Sequence, residues 1–294
     1  MIASERTLLP NEPAVLQPDQ QAQLTQALLI PVQTELTALL KAVRQQLDPI
    51  LRQRQPSKQG KPYPLGQCLE ISQAVGQRLQ QLKPENLSSD QQQAYRALIH
   101  FTQQGGVIRQ VWGILRNTYF QNAFLFGSLY VDVANDTVDA SKPPVEILPF
   151  ADSGLEPVRD YQHFAEIAQS YWQAEIYPNY LFPALAPYFP LISIVAGEAP
   201  RLQVGNDYML VLTCRDRFQS AAQVLQQGQI PADLVQRINR AVSDTRLTAM
   251  LNPSPNLALK TCQRYQAEKR HLDQCFRDYQ VQQFLAINQA LARE

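Results

Sequence analysis

The sequence predicts an α+β fold, predominantly α-helical: a helical bundle with a small, mostly antiparallel sheet inserted near the middle of the chain. Three observations carry that expectation. Apolar residues recur at spacings of three and four through most of the 294 residues. Alternation at a period of two is confined to short runs near the middle, Leu129 to Val133 being the clearest. Glutamine, an uncharged helix former, occurs 40 times and stands in for charge, which reaches only 18% against roughly 25% in ordinary soluble chains.

Residues 1–19 hold Pro10, Pro13 and Pro18 among polar neighbours and predict an extended N-terminal arm. Residues 20–294 read as a single helical domain, with a sub-boundary near 105 or 200 as the alternative. A helix is expected from Asp19 to Leu29. Val32, Leu36, Leu39, Leu40, Val43, Leu47, Ile50 and Leu51 then share one helical face, which Pro49 should end or bend. Gln53 to Gly66 carries three prolines and two glycines and reads as a loop. Its basic neighbours Arg52, Arg54, Lys58 and Lys61 suggest an anion contact, but the glycine and amide pattern of a phosphate cradle is missing. Leu69, Val75, Leu79 and Leu82 mark a third helix, stopped by Pro84. Ser89 with Gln92 has the form of a capping box. It opens a fourth helix through Ala94, Leu98, Ile99 and Phe101 that breaks at Gly105 and Gly106.

The stretch from Val107 to Val133 holds three formal charges, Arg109, Arg116 and Asp132, and should be the buried hub. Val107, Val111, Ile114 and Leu115 recur at helical spacing, so the expectation is a buried helix ending by Gly127 that feeds the strand at Leu129. Val145 to Leu148 should return as a second strand and close a hairpin with a wide loop. A helix follows from Pro157 to Tyr177, with Phe164, Ile167, Ala168, Tyr171 and Trp172 on one side. Tyr177 to Pro190, YPNYLFPALAPYFP, mixes aromatics with four prolines and has no charge. Leu191 to Val195 is a candidate strand, and Leu202 to Val204 with Tyr208 to Cys214 reads as a hairpin around Gly205, Asn206 and Asp207. Helices should then run from Arg215 to Gln227, from Pro231 through Val242, and from a cap at Ser254 without interruption to Leu291.

A net charge of zero gives no general attraction for nucleic acid, and none is expected as a partner. The most apolar late run, Tyr180 to Gly197, is broken by Pro183, Pro187 and Pro190, so no membrane insertion is expected. Four cysteines form no CxxC pair, and no basic segment precedes an apolar core at the N-terminus; a reduced, cytoplasmic location follows. With three histidines, metal schemes are limited. Glu268 and His271 form ExxH, with Cys275 a further ligand one turn on, but His163 and Glu166 form the reversed spacing and no complete ligand set emerges. No metal is expected; Glu268, His271 and Cys275 are the residues that would hold one. The loop NDTVD lacks the ligand spacing of a calcium loop. GxSxG, GxGxxG and GxxxxGK[ST] are all missing, and no cofactor is expected.

What remains is a non-enzymatic interaction protein: a scaffold, adaptor or assembly factor. It would present its aromatic, proline-rich segment to a protein partner through Tyr177, Tyr180, Phe182, Tyr188 and Phe189. The alternative is an enzyme with a cleft between helical bundle and small sheet. Its catalytic candidates are His163, Glu166, Arg109, Arg116, Tyr130 and Asp132, because polar groups beside apolar elements need a role or a partner. A pocket lined by two or more of these six favours the enzyme; an exposed apolar patch over Tyr177 to Pro190 favours the adaptor.

Overall fold

A computed structural model describes residues 7–203, 206–243 and 246–293 and shows mixed α+β architecture, as expected. Backbone contacts gather the chain into two compact units. One comprises Asn11–Pro157; the other is built from Val158 onward and includes residues 7–10. The chain passes between the units at Pro10–Asn11 and again at Pro157–Val158.

In the Asn11–Pro157 unit, helix α1 (Pro18–Leu28) leads to α2 (Gln33–Arg54), which buries Leu36, Leu39, Leu40 and Val43. Each such burial is worth about 1.5–3 kcal/mol. Helix α2 continues through Pro49 instead of ending there. Pro49 and Gln45, whose carbonyl loses its donor, are both exposed, so the missing bond falls on the solvent side of the helix and not in the core. The expected loop contains a small ribbon, β1 (Ser57–Lys58) with β2 (Lys61–Pro62). Two of its basic residues are engaged within the fold: Lys58 pairs with Glu70 at 2.6 Å and Arg52 lies over the Tyr63 ring. Helices α3 (Cys68–Gln80) and α4 (Ser89–Gln103) follow. The capping box of α4 is made by Ser88 and Gln91, one residue earlier than the spacing suggested.

The hub is not a helix feeding a strand. It is two long strands, β3 (Ile108–Leu115) and β4 (Tyr119–Phe126), paired antiparallel from Ile108 opposite Phe126 to Leu115 opposite Tyr119. Every residue of β4 is buried, as are the last five of β3. A strand covered on both faces loses its alternation, and its apolar positions then match a helical spacing by coincidence. The turn uses Arg116 and Asn117, both at positive φ, with the Thr118 N–H donating to the Leu115 carbonyl. Such turns usually advertise themselves with glycine.

Strands β5 (Leu129–Asp132) and β6 (Glu146–Pro149) pair as the expected hairpin, and after a short helix α5 (Phe150–Ser153), β7 (Leu155–Glu156) joins the far edge. The sheet order is β6-β5-β4-β3-β7. Phe124, Phe126, Leu129, Val131 and Ile147 share a core with apolar residues of α2, α3 and α4. The opposite face, with Val111, Leu115, Ala123, Leu125, Tyr130 and Asp132, is also buried.

In the other unit, α6 (Tyr161–Trp172) ends earlier than Tyr177, where Gln173 takes a left-handed conformation. A three-stranded antiparallel sheet follows, β8 (Glu175–Pro178), β9 (Leu191–Ile194) and β10 (Arg201–Gln203), in the order β10-β9-β8. The hairpin expected around Gly205 is not formed: β10 pairs back onto β9, and Asp207–Arg215 is a helix, α7, capped by Asn206. Val204 and Gly205 lie outside the described residues. The run YMLVLTC is apolar on both sides, which reads equally as strand or buried helix. Helices α8 (Gln219–Leu225), α9 (Ala232–Val242), α10 (Pro255–Ala267) and α11 (Gln274–Leu291) complete the unit. The long C-terminal helix is therefore two helices, with Lys269 at positive φ between them, and Cys262 and Cys275 stand on different ones. The N-terminal segment belongs here: Arg215 donates to the Thr7 carbonyl at 2.6 Å, and Leu9 is buried. No helix among the described residues is long and apolar enough to cross a membrane.

Candidate functional site

Gly76 sits in the interior of α3, where glycine costs about 1 kcal/mol relative to alanine. Its position explains it. A Cβ there would come within 3.2 Å of the Phe124 ring, so the glycine lets helix and sheet approach closely. Beside this contact a cleft of about 620 Å³ opens between α3, α4 and the β3–β4 hairpin. That volume lies within the range of small-molecule sites. Phe124, Phe126 and Ile108 form its apolar base, with Leu98 and Ile99 on the α4 side. Gln73, Gln77 and Gln80, at i, i+4 and i+7 of α3, line it with exposed amides.

Several polar groups in the cleft are already satisfied. Ser72 donates to the Asn122 carbonyl at 3.1 Å, and the Tyr95 hydroxyl to the Leu82 carbonyl at 3.3 Å. Gln110 is different: its Nε2 is buried and finds no hydrogen-bond acceptor among the described residues. Arg109 is the one charged residue of the lining. Its guanidinium donates to the carbonyls of Glu12 and Ala14, and burial lowers its pKa.

The other catalytic candidates gather elsewhere. Tyr130 and Asp132 do meet, in a fully buried cluster on the opposite face of the sheet. The Asp132 carboxylate accepts from Tyr130 Oη (2.9 Å), Gln121 Nε2 (2.7 Å) and the Ala134 N–H (2.8 Å). Burial pushes its pKa up to about 6, with the three donors opposing the rise. This carboxyl can hold a proton near neutrality, but it does not line the cleft. Arg116 pairs with Glu146 at 2.8 Å near the surface. His163 and Glu166 belong to the other unit, where Asp160 caps the His163 N–H and Glu166 accepts from Gln162.

The expected docking residues are core. Phe182, Tyr188 and Phe189 are at most 1% exposed, while Tyr177 and Tyr180 are partly buried against the same cluster. Phe189 stacks on Phe284 with centroids 4.2 Å apart, and the Tyr188 hydroxyl donates to the Arg270 carbonyl at 2.8 Å. Tyr177 donates to Glu175, and the Tyr180 hydroxyl accepts from the Ile230 N–H. The prolines shape a packed crossover between β8 and β9 that turns Phe182, Tyr188 and Phe189 inward. Of the metal ligands named from sequence, Glu268 pairs with Arg270, His271 packs edge-on to Phe218, and Cys275 is exposed. No group of three metal-ligating side chains occurs among the described residues.

Sequence reasoning missed the cleft and a second buried ion. Arg44, 1% exposed, is held by Asp48 at 2.9 Å, by both oxygens of Asp136 and by the Val133 carbonyl. Burial alone would lower its pKa; Asp136 and Asp48 outweigh that and raise it. Gly76 was the legible signal for the cleft, since a mid-helix glycine implies close approach. Compared with protein-family models, with curated proteins and with solved structures, the chain matches none.

Proposed function

We propose that the protein is a non-enzymatic binding protein whose cleft, between α3, α4 and the β3–β4 hairpin, takes an uncharged small molecule. The observation that carries this reading is the lining: an apolar base, a row of neutral amides, and a single charged side chain already committed to backbone carbonyls. Such a site offers dispersion and neutral hydrogen bonds, and it would leave an ionic ligand without a counter-charge. The enzyme alternative draws less support. Of its six candidates Arg109 alone lines this cleft, and no nucleophile stands there beside a base.

Nile red, an uncharged apolar dye, tests the reading. Titrated into the full chain, it should bind saturably at one site. Ile99→Trp, an exposed position on the cleft wall, should weaken that binding by about tenfold or more while leaving the circular-dichroism melt unchanged. Linear, unsaturable partitioning, or a Kd indifferent to Ile99→Trp, would remove the site.

A further inference from the structure

We infer that the outer edge of β3, from Ile108 to Gln110, takes an extended, uncharged segment of a partner protein as an added antiparallel strand. Backbone groups at the margin of the sheet would hold that segment, whatever small molecule fills the cleft.

In an antiparallel ladder alternate residues turn their N–H and C=O groups toward one neighbour, and the residues between them turn theirs the other way. β3 pairs with β4 in unbroken register, so its outward groups can be identified from the bonds they make. The Trp112 N–H donates to the Asn11 carbonyl at 2.7 Å, Ile114 pairs with Glu156 of β7, and the Arg116 N–H donates to the Gly154 carbonyl at 2.8 Å. Val107, of the other parity, accepts from the Gly127 N–H just past the end of β4. The outward residues are therefore the even-numbered ones, and Gln110 and Ile108 are the next two. Their backbone groups meet no partner on that side among the described residues. Gln110 is half-buried and Ile108 is 36% exposed, so this stretch of edge is accessible. An unpaired edge is a template for a further strand.

The occupant follows from what the edge already carries. Asn11 is seated at Trp112, and the chain from there to Ala14 runs opposite to β3, since Arg109 donates to the Ala14 carbonyl. β7 is antiparallel as well. A second copy of β3 fits poorly: with Gln110 opposite the copy's Ile108, the copy's Gly106 would fall on Trp112, where Asn11 sits. A short segment that turns away before Trp112 has no such conflict. Residues opposite one another share a face of the sheet, and Ile108 and Gln110 face the cleft. An apolar side chain opposite Ile108 therefore packs best. A charged one would find no counter-charge, because Arg109, the one charged residue of the lining, is committed to carbonyls.

The probe is the peptide acetyl-TVTVTG-amide, titrated into the isotope-labelled full chain and followed by two-dimensional NMR of the backbone amides. It should bind saturably, with a Kd of about 1 mM or tighter, and shift the amide signals of Ile108 and Gln110. Methylating the amide nitrogens of both valines removes the donors that face β3 and should weaken binding about tenfold or more. Methylating the threonine between them, whose N–H faces away, should leave the Kd within about twofold. Ile108→Pro deletes an outward N–H at the first position of the strand, where proline is tolerated, and should weaken the unmodified peptide about fivefold. Equal binding of all three peptides, or binding of none, overturns the inference and leaves the Nile red result standing by itself. Shifts of Ile108 and Gln110 on concentrating the protein alone, with a dimer in sedimentation, would give the edge to a second copy and overturn it too. Should Ile108→Pro fail to fold, the methylated peptides decide in the unmutated protein.

Discussion

Arg44 and Asp132 are both buried ions of the same unit, and the fold accommodates them in opposite ways. Arg44 is compensated by charge: two carboxylates and a carbonyl surround its guanidinium. Asp132 is compensated by dipoles: a phenol, an amide and a backbone N–H, with no cation among its bonds. The two converge on one short segment, since Arg44 holds Val133 and Asp136 while Asp132 holds Ala134. The two carboxylates add to a guanidinium that is charged at any physiological pH. Burial without a cation lifts the Asp132 pKa to about 6, and its three dipoles only oppose that rise.

The largest expected effect comes from breaking the first arrangement. Arg44→Met should destabilise the protein by about 3–5 kcal/mol, because it strands the carboxylate of Asp136 in a largely buried site. Urea unfolding measures this, and a loss below about 1 kcal/mol would mean that the cluster behaves as a surface pair. The second effect separates the two centres by pH. Burial raises Asp132 from 3.8 to about 6, so the folded state holds that proton more tightly than the unfolded chain. The associated stability is complete below pH 3.8 and is lost as pH rises through about 6. The contribution amounts to about 3 kcal/mol. Asp132→Asn should flatten that part of the stability profile, whereas a slope of unchanged size would assign it to other groups.

Tyr130→Phe sharpens the comparison further. It deletes one of the three dipoles and should cost about 2 kcal/mol above pH 7, with a smaller loss at pH 5. Denaturant midpoints at the two pH values provide the check. An equal loss at both would show that the hydroxyl does not act through the carboxylate. Smallest of all, Arg116→Ala removes an ion pair whose members are 41% and 26% exposed, and should cost less than about 1 kcal/mol. That loss should shrink further in added salt.

Much of the helical architecture was legible because amphipathic helices announce themselves. Helix α2 places Leu36, Leu39, Leu40 and Val43 inward at the spacing the sequence shows. The cap at Ser254 and the β5–β6 hairpin were readable for similar reasons: side chains and backbone needs coincide locally. Legibility failed where burial is two-sided. In β4 all eight residues are buried, and in Tyr177 to Pro190 apolar side chains pack inward from a crossover with no fixed period. Neither carries a polar face to reveal its geometry. Of the site, Tyr130 and Asp132 could be paired from their two-residue spacing on a strand. Of the cleft only Gly76 was a signal; how α3, α4 and the β3–β4 hairpin close around it was not, because β3 and β4 read as a helix and glutamine is too common in this chain for Gln110 to stand out.

The grouping of residues 7–10 with the unit that begins at Val158 imposes an order on synthesis. These residues emerge from the ribosome more than two hundred positions before Arg215, which donates a hydrogen bond to the Thr7 carbonyl. Through that interval Asn11–Pro157 has its whole sequence available and can fold around its own sheet. The leading segment must wait for the unit to which it belongs, and Leu9 is buried only in the finished fold. A chaperone that binds nascent apolar segments would find a target there.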